Sequence, residues 1–277
     1  MKNLVNYSRK YGSDSELVLA GGGNTSMKEN GVLYVKGSGC ALSSIEPENF
    51  VRMDMAKLLS ILEKKYPADD KSREAAFTAD CASAKLPGED AKRPSVEALL
   101  HAIFPQRYVL HLHPALVNGL TCSVGGEEAA KKLFPDAIWV EACRPGYTLA
   151  KLLSDKIGEK TDTVLLQNHG VFFAAETPEG LAALLEGMME KLKAQLPGPL
   201  PETLEDVELS KPFTPDHIVY CGIGPELPDN ANARLLYRDA QKIAWYSKAF
   251  GGPLPMSEEL VSFITHWEAE SYRKKQS

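Results

Sequence analysis

The sequence predicts an α/β fold, a central mixed, mainly antiparallel sheet covered by helices. Three observations carry that expectation. Strand-length apolar runs alternate with segments of helical period, which layers helices on a sheet. The strands on either side of Glu29-Asn30-Gly31, and those flanking His169, come as hairpin-like pairs. Gly21-Gly22-Gly23 leads into another strand instead of opening a helix, so the Rossmann-type Gly-x-Gly-x-x-Gly turn is missing.

In chain order, residues 2–11 read as a short helix stopped by Gly12. The apolar run from Leu17 breaks at the three glycines and resumes as a polar strand to Met27. A hairpin turn at 29–31 returns the chain along Val32–Lys36, after which Gly37-Ser38-Gly39 interrupts the backbone again. Two glycine-rich bends then lie side by side on paired strands. Val51–Asp54 is a short strand feeding a helix over 55–65. Residues 66–92, polar and punctuated by proline and glycine, predict a mobile loop. A helix starts at Pro94 or Ser95, since proline suits a first turn and serine a cap, and it stops at Pro105. Tyr108–Pro114 is the central strand. Beyond it come helices over 127–134 and 148–156, a strand over 137–141, a strand pair over 164–167 and 171–175, and a long amphipathic helix over 177–195. Pro197-Gly198-Pro199-Leu200-Pro201 marks a linker, so the expected division is 1–196 and a mostly helical extension over 197–277. In that extension 213–220 reads as extended, followed by helices over 234–250 and 257–273.

A chain of 277 residues buries a full core. Its net charge of −6 denies it the basic face that general nucleic-acid or anionic-membrane binding requires, so any phosphate must be held locally. No apolar run approaches membrane-spanning length and the first ten residues lack the apolar middle of a signal peptide, which predicts a cytoplasmic protein. The five cysteines are scattered, odd in number and form no Cys-x-x-Cys, and they read as reduced thiols.

The candidate chemistry centres on Tyr108–Pro114. His111 and His113 are two apart, so on a strand their rings share one face while Leu112 turns to the other. His169 stands at the polar tip of another apolar strand, with Gly170 giving the backbone room to turn. Three neutral imidazoles with no cysteine near them match a catalytic zinc with an open coordination position. Two polar residues on a half-exposed strand would have the same spacing, which therefore leaves both readings open. Glu97 lies four residues before His101, on one face of the expected helix, and the loop after Phe104 returns directly to the histidine strand. It is a candidate general base there and a solvated surface glutamate otherwise. Burial would raise its pKa and a neighbouring cation would lower it. The two glycine bends are either tight turns or nests of backbone N–H groups that hold a phosphate, with Asn24, Ser26, Ser38 and Ser95 as further donors and Lys36 as the nearby cation.

Taken in order, Gly23-Asn-Thr-Ser26, Lys36-Gly-Ser-Gly39, Pro94-Ser-Val-Glu-Ala-Leu-Leu-His101, His111-Leu-His113 and Asn168-His-Gly170 resemble the motifs of the class II aldolase/adducin family. The resemblance covers roughly the first 195 residues. The tail, with 214–219 and 267–273, is similar to the aldolase half of bifunctional rhamnulose-phosphate aldolase/dehydrogenases. The resemblance implies a three-layer αβα fold with its catalytic domain over 1–196. It implies zinc, or another divalent transition metal, on His111, His113 and His169, and Glu97 as the catalytic acid/base. Asn24, Ser38, Gly39 and Ser95 match positions that hold the substrate phosphate.

The implied activity is that of a lyase. A ketose 1-phosphate of the rhamnulose or fuculose kind is cleaved to dihydroxyacetone phosphate and an aldehyde through a zinc-stabilised enediolate. Decarboxylation of a 3-oxo sugar acid phosphate and 4-epimerisation of a pentulose phosphate draw on nearly the same groups. An adducin-like scaffold fits less well, because scaffolds of that kind have lost the metal histidines and all three stand here with Glu97. Family analogy further implies a homo-oligomer, a tetramer. Val96 replaces a second serine of the fuculose-phosphate type, which removes one phosphate donor, and the interval from Glu97 to His111 is shorter than in that type. Tyr147, in Arg144-Pro-Gly-Tyr147, is the candidate for the family's distal tyrosine. His101, His217 and His266 read as structural.

Overall fold

A computed structural model describes residues 1–267 of the protein. The strands are β1 (Asn24–Glu29), β2 (Val32–Lys36), β3 (Phe50–Asp54), β4 (Tyr108–Leu112), β5 (Ile138–Val140), β6 (Thr163–Leu166) and β7 (Gly170–Ala175). They form one seven-stranded sheet in the order β3-β2-β1-β4-β7-β6-β5. All neighbours run antiparallel except β5 and β6, so the sheet is mixed and mainly antiparallel, as expected. Asn30 and Gly31, with φ of 50° and 75°, turn β1 into β2. Two consecutive left-handed residues give the hairpin turn whose twist matches that of the strands.

The helices are α1 (Lys2–Gly12), α2 (Met55–Ser60), α3 (Asp70–Ser83), α4 (Ala98–Ile103), α5 (Ala115–Thr121), α6 (Gly126–Leu133), α7 (Tyr147–Lys156), α8 (Pro178–Lys193), α9 (Pro215–Cys221), α10 (Ala231–Ser247) and α11 (Glu258–His266). Strand alternation sorts the core into two layers. Leu110 and Leu112 of β4 join Leu4, Val117 and Leu185 from α1, α5 and α8, while Val109 and Phe172 join Phe77, Leu99 and Leu149 from α3, α4 and α7. Helix α8 buries Leu181, Leu185, Met188 and Leu192, a stripe at helical spacing, and Thr177 caps it by accepting the Gly180 N–H at 3.1 Å. Among the described residues no helix is long and apolar enough to cross a membrane.

Five segments differ from expectation. Residues 66–92 contain α3, capped by Asp69, which accepts the Ser72 N–H; Glu74, Phe77 and Cys81 are its buried face. Its many charges hid an apolar stripe at helical spacing. Residues 213–220 are not extended, since 215–221 form α9 with every side chain buried. The β-branched and aromatic run Ile218-Val219-Tyr220 favours a strand locally, and tertiary burial overrides it. Helix α5 follows Pro114 at once, and its Gly119 admits α10, because a Cβ there would lie 2.3 Å from the Tyr246 Cβ. Helix α4 begins at Ala98, so Glu97 occupies its N-cap rather than its interior. The run Leu17–Ala20 makes turns rather than a strand, and the expected helix over 257–273 is described as α11 only to His266, the remainder lying outside the described residues.

Candidate active site

The sheet's register assembles the site. Asn24, the first residue of β1, pairs directly with His111 on β4, and His111 pairs with Phe172 on β7. The Phe172 ring stacks on the His111 ring with centroids 4.0 Å apart, which fixes that imidazole against the strand. His169 sits in the tight β6–β7 connection, where Asn168 supplies the left-handed residue (φ 57°). Gly170 therefore serves a different end from the one expected of it. A Cβ at Gly170 would stand 2.7 Å from His113 Cδ2 and 2.5 Å from the Leu112 carbonyl oxygen, so its missing side chain leaves space for the His113 ring.

The three imidazoles converge. One ring nitrogen from each of His111, His113 and His169 lies within 4.8 Å of the others. The hydrogen bonds on the opposite side of two rings set their tautomers. His111 Nδ1 faces the Val171 carbonyl oxygen at 3.0 Å and His113 Nδ1 faces Asp216 Oδ2 at 2.5 Å, so each Nδ1–H donates. The neutral form of each ring then directs its Nε2 lone pair at the same point, and the two Nε2 atoms are 2.9 Å apart. Burial pushes the His111 pKa well below its ordinary value, against the pull of Glu97.

Glu97 closes this cluster. Its Oε1 stands 3.4 Å from His111 Nε2 and 3.5 Å from His169 Nε2, and it is a buried oxygen with no hydrogen-bond partner. Nitrogens bound tetrahedrally to one zinc ion are about 3.3 Å apart. Facing lone pairs and an orphaned carboxylate oxygen at such spacings suit a divalent cation. The residues present thus fit the metal.

Glu97 Oε2 has a separate partner, accepting from Asn24 Nδ2 at 2.6 Å. Asn24 Oδ1 in turn accepts from His101 Nε2, and His101 Nδ1 accepts from the Ser26 hydroxyl at 2.7 Å. Burial lowers the His101 pKa to about 3, so the ring is neutral and can donate from one nitrogen while accepting at the other. Burial alone would raise the Glu97 pKa, but the charge that His111 and His169 carry when protonated, together with the Asn24 amide, lowers it to about 2.

A cleft beside Glu97 and His113 is lined by Asn24, Ser38, Gly39 and Ser95, the four residues marked for phosphate, together with Lys36. Val96 also lines it, an apolar side chain where the fuculose-phosphate type has serine. The expected nests of backbone N–H groups are largely engaged within the protein. Gly21 N donates to Tyr220 Oη, Gly22 N to Leu19 O, Gly37 N to Asn49 O and Ser38 N to Arg93 O. The side chains that line the cleft include the Lys36 ammonium, which donates to Gly21 O at 3.2 Å, and the Ser38 and Ser95 hydroxyls. The Ser95 hydroxyl also accepts the Glu97 N–H at 3.2 Å, tying the cleft to the carboxylate.

Other candidates have structural surroundings. Tyr147 packs on Tyr66 and Phe77, and Arg144 pairs with Asp70 and Glu259. His217 lies between Thr214 and Asp239, and His266 faces the Ser262 carbonyl. Sequence reasoning missed the contact of Asp216 with His113, which joins residues 103 positions apart, and the link from His101 to Asn24 at a separation of 77.

The sequence profile of the class II aldolase and adducin N-terminal domain matches residues 2–196. The chain belongs to the class II aldolase and adducin family. An uncharacterized oxidoreductase, YuxG, of Bacillus subtilis (strain 168) is 31% identical to this class II aldolase family member over 192 residues, 65% of this chain and 27% of that protein. The chain thus spans about a quarter of that relative's length. The N-terminal class II aldolase domain of a conserved protein from Thermoplasma acidophilum superposes with a TM-score of 0.61 at 28% identity, covering 69% of this chain and 91% of that one. An L-fuculose 1-phosphate aldolase matches 95% of this chain and 93% of its own length at 16% identity, with a TM-score of 0.49.

Proposed function

We propose that the protein is a metal-dependent aldolase that cleaves a ketose 1-phosphate of the rhamnulose or fuculose kind to dihydroxyacetone phosphate and an aldehyde. The reading rests on one observation above all, that Glu97 Oε1 stands 3.4 and 3.5 Å from ring nitrogens of His111 and His169 at the edge of the cleft lined by Lys36, Ser38 and Ser95. A carboxylate, three convergent imidazoles and an anion-binding cleft in one place are the groups that this cleavage uses. The name of the Bacillus relative speaks of an oxidoreductase, but this chain matches 27% of that protein, and the lyase reading rests on the site.

His111, His113 and His169 would hold the metal, with zinc favoured by an all-imidazole ligand set. A divalent ion there supplies Lewis acidity toward the substrate's carbonyl oxygen. Ser38, Gly39 and Ser95, with Lys36, hold the phosphate and so set the carbon chain's direction toward Glu97, while Asn24, also marked for phosphate, has its amide bonded to Glu97 and His101. Cleavage breaks the bond between carbons 3 and 4. The electron pair remains on carbon 3, carbon 4 becomes the aldehyde, and the proton lost from its hydroxyl is balanced by one gained at carbon 3. Glu97 carries the proton to carbon 3, and the Asn24 amide on Oε2 keeps Oε1 turned to the reacting side.

Glu97→Gln tests this reading. The variant should retain bound metal and lose hydrogen exchange at the hydroxymethyl carbon of dihydroxyacetone phosphate by about 10²-fold or more, followed by NMR in deuterated water. Undiminished exchange removes Glu97 from the role. A parallel assay of phosphorylated ketoses and 3-oxo sugar acids for aldehyde, epimer and carbon dioxide separates aldolase from epimerase and decarboxylase.

A further inference from the structure

Helix α9 lies outside the segment that the family profile matches, yet it reaches the histidine cluster directly. Asp216 is buried, and its Oδ2 accepts from His113 Nδ1 at 2.5 Å. Tyr220, one turn later on the same face, accepts the Gly21 N–H at 3.1 Å. The glycine bend leaves room for both. A Cβ on Gly22 would lie 2.9 Å from Asp216 Oδ2, and one on Gly21 would lie 2.9 Å from Tyr220 Oη. The segments around α9 are also pinned beside His169, since Asn168 donates its amide to Phe213 O at 3.1 Å and Leu254 O at 2.8 Å.

We propose that Asp216 is a positioning residue for the metal centre, so that the C-terminal segment completes a site whose other members all lie within residues 2–196. Its carboxylate holds His113 as the Nδ1–H tautomer, fixes the ring's direction and leaves Nε2 as the lone pair turned toward His111. A carboxylate on the far nitrogen also makes the imidazole a more basic ligand. This rests on the metal reading of the three histidines. A merely structural Asp216 would stabilise α9 without altering how strongly, or in what field, a metal is held.

The full chain, stripped of metal, is titrated with Zn2+ against a chromophoric chelator as wild type, Asp216→Ala, Asp216→Asn and Tyr220→Phe. The Co2+-loaded forms are compared by visible absorption. Asp216→Ala should bind Zn2+ about 10- to 100-fold more weakly and shift the Co2+ bands. Asp216→Asn keeps the side chain's shape and an acceptor oxygen but not its charge, so it should lose less, and it decides the matter alone if the alanine variant does not fold. Tyr220→Phe removes the same helix's hydrogen bond to Gly21 and should leave affinity and bands at wild-type values. Unchanged affinity and bands in the Asp216 variants overturn the proposal while leaving the metal centre standing. An equal loss in Tyr220→Phe overturns it too, by showing that any loosening of α9 suffices. Wild-type protein that binds neither ion overturns the metal reading itself, and Asp216's role with it.

Discussion

Asn24 Nδ2 stands 2.6 Å from Glu97 Oε2, joining the first residue of β1 to the residue that precedes α4. The bond divides the carboxylate's labour, because the oxygen that Asn24 occupies is not the one facing the imidazoles. His101 holds the same amide from its other end, so the amide cannot turn over without losing both partners. Asn24→Ala should therefore slow hydrogen exchange at dihydroxyacetone phosphate by about 10²-fold through misplacement of Glu97, with metal content per chain unchanged. It should also cost roughly 1–3 kcal/mol of stability, since a buried His101 N–H is left unpaired. Exchange rates, metal analysis and thermal melts on one preparation read all three. Wild-type exchange would remove Asn24 from the placement of Glu97.

Gly170 offers a steric test of the histidine cluster. Its absent Cβ would overlap both the Leu112 carbonyl and the His113 ring, and neither can retreat far, because Leu112 is paired with Val171 and His113 is held by Asp216. Gly170→Ala should destabilise the fold by roughly 1–3 kcal/mol, the usual cost of overfilling a packed interior, and weaken metal binding in proportion to the displacement of His113. Denaturant midpoints and metal titration measure the two effects. An alanine variant with wild-type values of both would show that the strands part freely at this point.

Much of this was legible in the sequence, and the exceptions share a cause. The Asn30-Gly31 turn, the histidine pair on β4 and the hairpin around His169 are local signals, and the structure holds each where the spacing put it. Glu97 and His101 were expected to meet on one helix face, whereas their side chains are linked through Asn24, more than seventy residues away. Asp216 lies in the 214–219 stretch that marked the tail, but nothing local tied it to His113. The run Ile218-Val219-Tyr220 in helix α9 has strand preferences, and burial between the glycine bend and α10 outweighs them. Helix α3 was hidden by its charges, since Glu74 is buried and the stripe of Phe77 and Cys81 is narrow. Contacts made across the fold, rather than along the chain, decided these cases.

The thiols give a check on burial that needs no substrate. Burial pushes the Cys81, Cys122 and Cys221 thiols up to about 12 and Cys143 up to about 11, and the thiolate is the form that reacts. Cys40 is half-buried and follows Gly39, which lines the cleft. Native protein treated with iodoacetamide near pH 7.5 should carry its first label on Cys40, with Cys81, Cys122 and Cys221 labelled only after unfolding. Peptide mass spectrometry decides, and early label on Cys81, Cys122 or Cys221 would contradict the packing described for α3, α5 or α9.

Glu74 links α3 to α7 and gives the fold a pH dependence of definite sign. Its side chain is buried, with one oxygen 3.4 Å from Arg73 Nε and the other accepting the Tyr147 N–H at 3.3 Å. Burial raises its pKa above the ordinary value, outweighing Tyr147 and Arg73, which act in the opposite direction. Between the ordinary and the raised value the folded protein keeps a proton that the unfolded chain has released, so stability falls as pH rises across that window. The contribution is complete below the ordinary carboxylate value, near pH 4.5, and absent above the raised one. Asp70, on the same network, runs the other way. Its hydrogen bond with Arg73, aided by Arg144, holds it below its ordinary value, so its contribution disappears only in stronger acid. The two effects therefore occupy separate pH ranges. Glu74→Gln keeps the shape and removes the titration, so its Tm should decline less than that of the wild type from pH 4.5 to 7. The difference in slope is bounded by one proton, about 1.4 kcal/mol per pH unit. Parallel curves for the two proteins would mean that Glu74 stays ionised in the fold and that the Arg73 and Tyr147 contacts outweigh its burial.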